Sequence, residues 1–461
     1  MDNVQRKPVR TISGVTPLTV VVQPLSCKWR CTYCPTFEGA PKSYTPLSPA
    51  IMRAAPLNYD PYKQLTDRLQ QLKSMQHPTN KIELIIIGGT FLDPGSCTLD
   101  YQYAFIKSCY DAMNEKTSTT LVEAQKLNEQ ADNRCVALCI ETRPDVCEEN
   151  HIDRMLEFGT TRCELGVQAI DDQLYKNTKR GHNVQAVQTA TARLKDAAFK
   201  VGYHWMPGLP GSNIDKDLAM YKEIFENPAY KPDHLKIYPT QIMEGTILEQ
   251  ESKKTGWQTY DEETLLQLLI AMKKITPRYC RIMRIMRAVP HKYLREGIKH
   301  SDIRKILAEK MHNEGSICQC IRCREIGFNK KKNINQTLTL KTTTYEASKG
   351  KEYFLEHVND KDTIFGLARL RLPTEPYRKE ITKKSLLVRE LHVYGKELAL
   401  NEREEKAYQH QGLGKQLLKK TEEIAQQEGC DKIVVISGIG VRDYYRKHGY
   451  ILEGPYMVKQ L

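Results

Sequence analysis

No run of about 18 apolar residues occurs in this 461-residue chain, so no segment reads as a membrane-spanning helix and no membrane partner is expected. The first residues, MDNVQRKPVR, lack the apolar core of a secretory signal, from which we expect an intracellular, cytoplasmic protein. A disulfide scaffold is excluded on density, because 14 cysteines are spread over 461 residues. In a reducing compartment clustered thiols read as metal ligands or as chemistry. Internal repeats and long low-complexity tracts are also missing, which excludes a repeat architecture.

What is present is an apolar share of 40%, ordinary for a chain with real cores, and a length that predicts about two to four domains. The formal charge is +13, and residues 271–332 hold 17 Lys/Arg against 5 Asp/Glu, so nearly the whole excess sits in one segment. Such a block favours a polyanion, of which nucleic acid is the commonest; a solvated helix surface would give the same count.

Between Leu18 and Met286 the apolar runs LTVVVQ, IELIIIGG, VALCIET, CELGVQ, VGYHWMPG, LKIYPT and RIMRIM alternate with amphipathic stretches such as 62–75 and 184–200. This alternation predicts a parallel α/β sheet or barrel with its function at the carboxyl ends of the strands. After Asn335 the pattern changes. SLLVRELHVYG reads as a strand, QHQGLGKQLLKKTEEIAQQEG as a turn and helix, KIVVISG as a strand, VRDYYRKHGY as a short helix and YMVKQL as a last strand. In that helix Leu413, Leu417, Leu418, Ile424 and Ala425 share one face, and Gly429 ends it. The expected division is a basic N-terminal segment 1–16, an α/β domain 17–286, a basic Cys-rich connector 287–334 and a second α/β domain 335–461.

Three cysteines, Cys27, Cys31 and Cys34, fall within SCKWRCTYCP at the spacing C-x3-C-x2-C. Three thiolates in one tight loop can hold three irons of a four-iron cluster, leaving the fourth iron to chelate a small molecule. A zinc site completed by a distant ligand is the alternative; structural zinc usually brings a second close pair, and none follows here. Further on, IIIGGT puts Gly88, Gly89 and Thr90 at a second strand end, and IETRPD puts Glu141 and Arg143 at a third. Small residues let main chain approach a ligand closely, and a carboxylate with a guanidinium can bind hydroxyls and a carboxylate. In this order the features resemble the radical S-adenosylmethionine (SAM) enzymes. The resemblance implies a [4Fe-4S] cluster on the three cysteines. It also implies the SAM amino group at Gly88, Gly89 and Thr90, and its ribose and carboxylate at Glu141 and Arg143.

In the second domain Gln409, His410, Gln411, Gly412, Leu413 and Gly414 fit Q-x-x-G-x-G at a strand-to-helix junction. Glycines let N–H groups crowd a diphosphate, and the helix N-terminus adds its dipole. With RELHV before it and VISG and a tyrosine pair after it, this stretch resembles the acetyl-coenzyme A (acetyl-CoA) domain of the GNAT acetyltransferases. The resemblance implies that the main chain of Glu390, Leu391, His392 and Val393 binds the pantetheine arm. It also implies that Tyr444 or Tyr445 lies by the thioester; for either tyrosine the other reading is simple packing.

Both halves together resemble the family of Elongator catalytic subunits and their stand-alone archaeal and bacterial relatives, carried by KPVRTISGVTP, GGTF, RCELGVQ, RGHNVQAV, FENPAYKPDHLKIYPT, VISGIGVRDYYRKHGY and GPYMVK. Thr36-Phe37 departs from the two glycines common in that family after the last cluster cysteine and proline. The implied fold is α/β, a radical-SAM partial (β/α) barrel plus a GNAT-like α/β domain joined by a basic metal-binding linker. The implied enzyme forms 5-carboxymethyluridine at the wobble uridine, position 34, of transfer RNA. A SAM-derived 5′-deoxyadenosyl radical would take a hydrogen from the acetyl methyl, the carbon radical would add to uracil carbon 5, and water would release coenzyme A. Lys81 is implied in acetyl-CoA handling. The alternative is a protein lysine acetyltransferase with a structural iron–sulfur cluster.

Cys318, Cys320 and Cys323, spaced C-x-C-x2-C, read as a structural zinc site whose fourth ligand is unassigned, with His291, His300 and His312 nearby in sequence. Cys97, Cys109, Cys135 and Cys430 read as buried small apolar residues, and His204 either faces a cavity or is packed. Transfer RNA gives the connector a partner, with Arg284, Arg287, Lys330, Lys331 and Lys332 as expected contributors to salt-sensitive binding. DNA is not expected, and a homodimer or accessory Elongator-like subunits are left open.

Overall fold

The computed structural model describes residues 8–287, 289–300, 302–329, 337–395 and 412–461. Its first sheet is built from β1 (Thr16–Val21), β2 (Lys81–Ile87), β3 (Arg134–Thr142), β4 (Arg162–Gln168), β5 (Lys200–Trp205) and β6 (His234–Ile237). After the short β7 (Ile242–Met243) comes β8 (Arg281–Ile285), and β7 pairs with β9 (Leu294–Glu296). The order β1-β2-β3-β4-β5-β6-β8 is parallel throughout, an open curled sheet of seven strands. Helices of the alternating pattern, Pro61–Ser74 and Val184–Asp196 among them, connect these strands. Side-chain caps start them: Asp60 accepts from Lys63 N–H at 3.0 Å and Asn183 from Ala186 N–H at 3.0 Å.

The second sheet contains three strands that the sequence pattern does not announce, β10 (Thr339–Ala347), β11 (Gly350–Val358) and β12 (Ile364–Leu372). They are followed by β13 (Ser385–Val393), β14 (Lys432–Val435), β15 (Ile451–Glu453) and β16 (Tyr456–Gln460). Its order is β10-β11-β12-β13-β14-β16-β15, antiparallel except for the β13–β14 pair. The helix Leu413–Gln427 buries the expected apolar face and ends at Gly429, whose φ is +67°. Cys97, Cys109 and Cys135 are buried, but Cys430 is only half-buried because it follows that turn at the rim of the second core. The connector is packed rather than extended: Ile303, Leu307 and Met311 of the helix Ile303–Asn313 join the main core. Among the described residues no helix is long and apolar enough to cross a membrane.

The two sheets meet across a seam of buried charge. Asp233, just before β6, receives Arg389 Nη1 and Nη2 at 2.8 and 2.7 Å. Arg389 also reaches Glu352 at 2.9 Å, and Arg371 bridges Glu352 at 3.0 Å and Asp196 at 2.6 Å. Lys195 lies 3.5 Å from Glu352, and Glu390 binds Arg369 at 2.7 Å and Lys200. Arg389 can serve both acids because β13 bulges there: Arg369 pairs with Glu390 and Leu370 with Val388, leaving Arg389 as the extra residue. The barrel residues in this seam start strands or lie on the helix end and turn that lead into them, so the second domain covers the amino-terminal ends of the barrel.

Truncating Arg389 would strand two buried carboxylates. Arg389→Met is expected to lower stability by about 3–5 kcal/mol, read as a fall in the urea midpoint. Burial raises the carboxyls of Asp233, Glu352 and Glu390, but their cations outweigh it and hold all three below the ordinary range. For depressed acids the stabilisation is present above the unfolded value, about pH 4, and is lost as pH falls below it. Unfolding midpoints measured between pH 3 and 7 should therefore collapse at the acid end, less steeply in Asp233→Asn.

Candidate active site

The loop after β1 carries Cys27, Cys31 and Cys34 at the carboxyl-terminal ends of the strands. It is pinned from both sides: Thr32 N–H donates to the Thr178 carbonyl at 3.0 Å, and Leu248 N–H donates to the Thr32 carbonyl at 2.9 Å. Cys31 is buried, Cys27 and Cys34 are half-buried, and all three are free thiols. Two guanidinium groups converge on Cys31 Sγ, Arg180 Nη1 at 3.5 Å and Arg143 Nη1 at 3.8 Å. Burial pushes the Cys31 thiol up, but these cations outweigh it and hold it below its ordinary value. Cys34 goes the other way, raised by burial despite a 2.8 Å hydrogen bond with Ser43 Oγ. Buried polar atoms without a partner collect around the loop: Thr32 Oγ1, the Tyr33 hydroxyl, Gln168 Oε1, Arg180 Nε and His182 Nε2. Three thiols, two cations and these orphaned groups fit an inorganic cluster with a polar small molecule beside it.

Gly88 and Gly89 follow β2 with φ of +116° and +59°, and a Cβ on Gly88 would crowd the Val22 main chain at 3.3 Å. Thr90 follows, buried. The Arg143 fork is taken by Asp145 at 2.9 and 3.0 Å, and its guanidinium lies 4.1 Å from the Trp29 ring centroid. Glu141 is held separately, by Lys236 at 2.7 Å.

At the other end of the barrel, β13 and β14 pair only from Ser385 to Val388, although β13 runs on to Val393. The strands part there, so Glu390 to Val393 pair with β12 alone and turn one main-chain edge into a wedge. Side chains in this stretch are engaged elsewhere, Glu390 in the seam and His392 Nε2 with the Ser13 carbonyl at 2.8 Å, while Leu391 packs on the second core. Gly412 (φ +78°) stands at the N-cap of the helix Leu413–Gln427. A Cβ on Gly414 would lie 2.7 Å from Tyr444 Oη and 3.8 Å from Val393 Cγ2, so all three meet at the wedge. Tyr445 is 5% exposed and packs edge-on against Tyr450 in the second core. Gln409, His410 and Gln411 lie outside the described residues.

Residues 25–224 match the model of the radical SAM superfamily, 232–313 that of the radical SAM C-terminal domain, and 330–450 that of the GNAT acetyltransferase family. The chain is 48% identical to a tRNA uridine(34) acetyltransferase of Dehalococcoides mccartyi, over 99% of this chain and 100% of that protein. It is 38% identical to Elongator complex protein 3 of Homo sapiens, over 100% of this chain and 87% of that one. A solved structure of the archaeal Methanocaldococcus infernus Elp3 superposes with a TM-score of 0.86 at 45% identity, covering 98% of this chain and 100% of that chain. This chain belongs to the Elongator complex protein 3 family.

Within this member of the family, the space between the two ends is lined by charge. Strand alternation puts Glu83, Glu141, Arg162, Glu164, Lys200, His204, His234 and Lys236 on the inner face, and their partners in the ladder are one another's neighbours. Arg162 binds Glu83 and lies 3.4 Å from Glu164. Glu164, fully buried, binds Lys236 and accepts from His204 Nε2 at 2.9 Å and His234 Nε2 at 3.3 Å. Burial raises the Glu164 carboxyl, but Lys236 and the two imidazoles outweigh it and hold it well below the carboxylate range. Burial pushes His234 down to about 4, so it is a neutral donor at pH 7. Lys81 is half-buried at the start of β2, on the same face as Glu83.

Composition and spacing pointed to none of Arg162, Glu164, Arg180, His234 or Lys236. The available signal was charge at every second position inside apolar strands, as in RCELGVQ and HLKI. In the connector Cys318, Cys320 and Cys323 converge with their sulfurs within 4.8 Å of one another, and no histidine completes the group among the described residues. Many cations of the basic stretch 271–332 are already paired: Arg281 with Glu325, Arg324 with Glu356 at 2.8 Å, and Lys310 with Glu263 at 2.7 Å. Arg284 is exposed and Arg287 half-buried over Tyr44, while Lys330, Lys331 and Lys332 fall outside the described residues.

Gly202 makes the column possible, because a Cβ there would overlap the His234 ring. Gly202→Ala should displace His234 from Glu164 and lower stability by about 1–3 kcal/mol, measured by chemical denaturation.

Proposed function

We propose that this chain modifies transfer RNA, forming 5-carboxymethyluridine at the wobble uridine, position 34, from SAM and acetyl-CoA. The observation that carries the reading is the joining of two sites in one body, the cysteine loop at one end of the barrel and the β13–β14 wedge at the other, with a polar interior between them. The names of the relatives, which act on tRNA uridine(34), point the same way.

A [4Fe-4S] cluster supplies one-electron cleavage of SAM when bound, the kind of chemistry an inert methyl C–H bond requires. Cys27, Cys31 and Cys34 would hold it. The main chain at Gly88, Gly89 and Thr90 would take the SAM amino group, with Glu141 and Arg143 as its further contacts. On the acetyl-CoA side, the main chain of Glu390 to Val393 would bind the pantetheine arm. Residues 409–414 would bind the diphosphate. Tyr444, whose hydroxyl stands beside Gly414, is the better placed of the tyrosines for the thioester, and Tyr445 then supports it from the core. Lys81, at the end of β2 nearest the second domain, would handle acetyl-CoA. We read the chain as a basic segment 1–16, a radical-SAM domain 17–286, a linker 287–334 with a structural zinc on Cys318, Cys320 and Cys323, and a GNAT-like domain 335–461. It would act in the cytoplasm, alone, as a homodimer or with accessory subunits.

Purified chain reconstituted without oxygen and given dithionite, SAM, acetyl-CoA and unmodified transfer RNA should yield 5′-deoxyadenosine and a modified uridine, both abolished in Cys31→Ala. Acetyl-lysine formed without SAM would overturn the reading. Elemental analysis should find zinc lost from Cys320→Ser while the iron content is kept.

A further inference from the structure

Arg180 is a buried cation with an unusual set of neighbours. It is 6% exposed, and among the described residues no carboxylate lies within the 4.0 Å of an ion pair. Its Nη2 donates to the Gly166 carbonyl, its Nη1 donates to Cys31 Sγ at 3.5 Å, and its Nε has no partner. The fold makes room for it, since a Cβ on Gly166 would stand 2.7 Å from Nη2. Asp145, which acts on it from further off, is already gripped by Arg143 at 2.9 and 3.0 Å. A desolvated guanidinium needs an anion, and the group it touches is a thiol of the cysteine loop.

We propose that Arg180 is a positioning residue that takes the iron–sulfur cluster as its counter-ion and, through its hydrogen bond to Cys31 Sγ, sets the reduction potential of that cluster. The proposal rests on the cluster reading above. Cluster reduction adds one electron from an external low-potential donor, with no bond made or broken at Arg180. The added negative charge is stabilised by a fixed cation and by a hydrogen bond to a ligand sulfur, and both raise the potential. Arg143, 3.8 Å from the same sulfur, adds to the effect but is itself neutralised by Asp145. Arg180 therefore dominates.

The test is a potentiometric titration of the full chain, reconstituted without oxygen and followed by electron paramagnetic resonance in the absence of SAM and RNA. Arg180→Gln with wild-type iron and sulfide content should show a more negative midpoint. At the wild-type midpoint its reduced-to-oxidised ratio should fall at least tenfold, which is 59 mV for a one-electron couple. Arg180→Lys, which keeps charge without the fork, should fall between. An unchanged midpoint in loaded Arg180→Gln overturns the proposal. If Arg180→Gln does not load, Gly166→Ala, which keeps the guanidinium but displaces it from the sulfur, is titrated instead, and an unchanged midpoint there has the same force. Failure of all three variants to load, with native circular dichroism, means that Arg180 builds the cluster site rather than tunes it, and also overturns the proposal. A Cys31→Ala protein that binds the wild-type complement of iron would instead sink the cluster reading itself.

Discussion

Everything in this molecule depends on a seam of charge most of whose members are fully buried. Asp233 and Glu352 are each fully buried, and Arg389, Arg371, Arg369 and Lys195 surround them. Desolvating so many ions costs several kcal/mol apiece, so the seam cannot be explained as a generic source of stability. Its value is geometric. Asp233 and Glu352 are each held by more than one cation, and the forks of Arg389 and Arg371 accept only one docking of the second sheet on the barrel. An apolar interface of equal area would permit sliding.

Because the seam caps the amino-terminal mouth of the barrel, the barrel interior can be polar without being open to solvent. Parallel barrels ordinarily fill with branched apolar side chains. Here Glu83, Arg162, Glu164, His204, His234 and Lys236 occupy that space, paired among themselves. The column stays tolerable because its charges alternate: Glu164 alone answers Arg162, Lys236 and two imidazoles. Its upper end, at Glu141 and Lys236, lies toward the strand ends that bear the cysteine loop. Its lower end, at Lys200 and Glu390, is part of the seam itself. A single bulge at Arg389 thus ties the docking of the domains to the strand whose main chain lines the wedge.

The features legible in the sequence were those whose chemistry depends on local spacing. Cys27, Cys31 and Cys34 are recognisable because one loop must present all three thiols, and Gly412 and Gly414 because a helix must start there. Strands β1 to β3 are legible because their runs are nearly continuous in apolar residues. Glu164 and Arg180 were not, because each works across the sheet: Glu164 draws its partners from β5 and β6, and Arg180 reaches Cys31 from 149 residues away. Strands β10 to β12 are not legible, because TLKTTTYEA is polar on an outer edge strand and the arginines of β12 belong to the seam. The surroundings of the two tyrosines likewise need the fold: the Tyr444 hydroxyl stands beside Gly414, whereas Tyr445 packs on Tyr450 in the second core.

The connector shows why a charge count overstates a binding surface. Of the cations in the basic stretch 271–332, Arg281, Arg324, Lys310, Lys274 and Arg295 are bound to carboxylates, several of which lie outside that stretch. They hold the connector against the barrel and the second sheet. Arg284 is different: it is exposed, it has no carboxylate within ion-pair distance among the described residues, and its register partner on β6 is Lys236. With Arg287 it stands at the carboxyl-terminal end of β8, on the side of the barrel that carries the cysteine loop and away from the second domain. Unpaired positive charge at that mouth favours approach of a polyanion there, where phosphates gain most from cations that have no other partner. The β13–β14 wedge lies at the opposite end of the barrel, so the two candidate sites are reached from different sides.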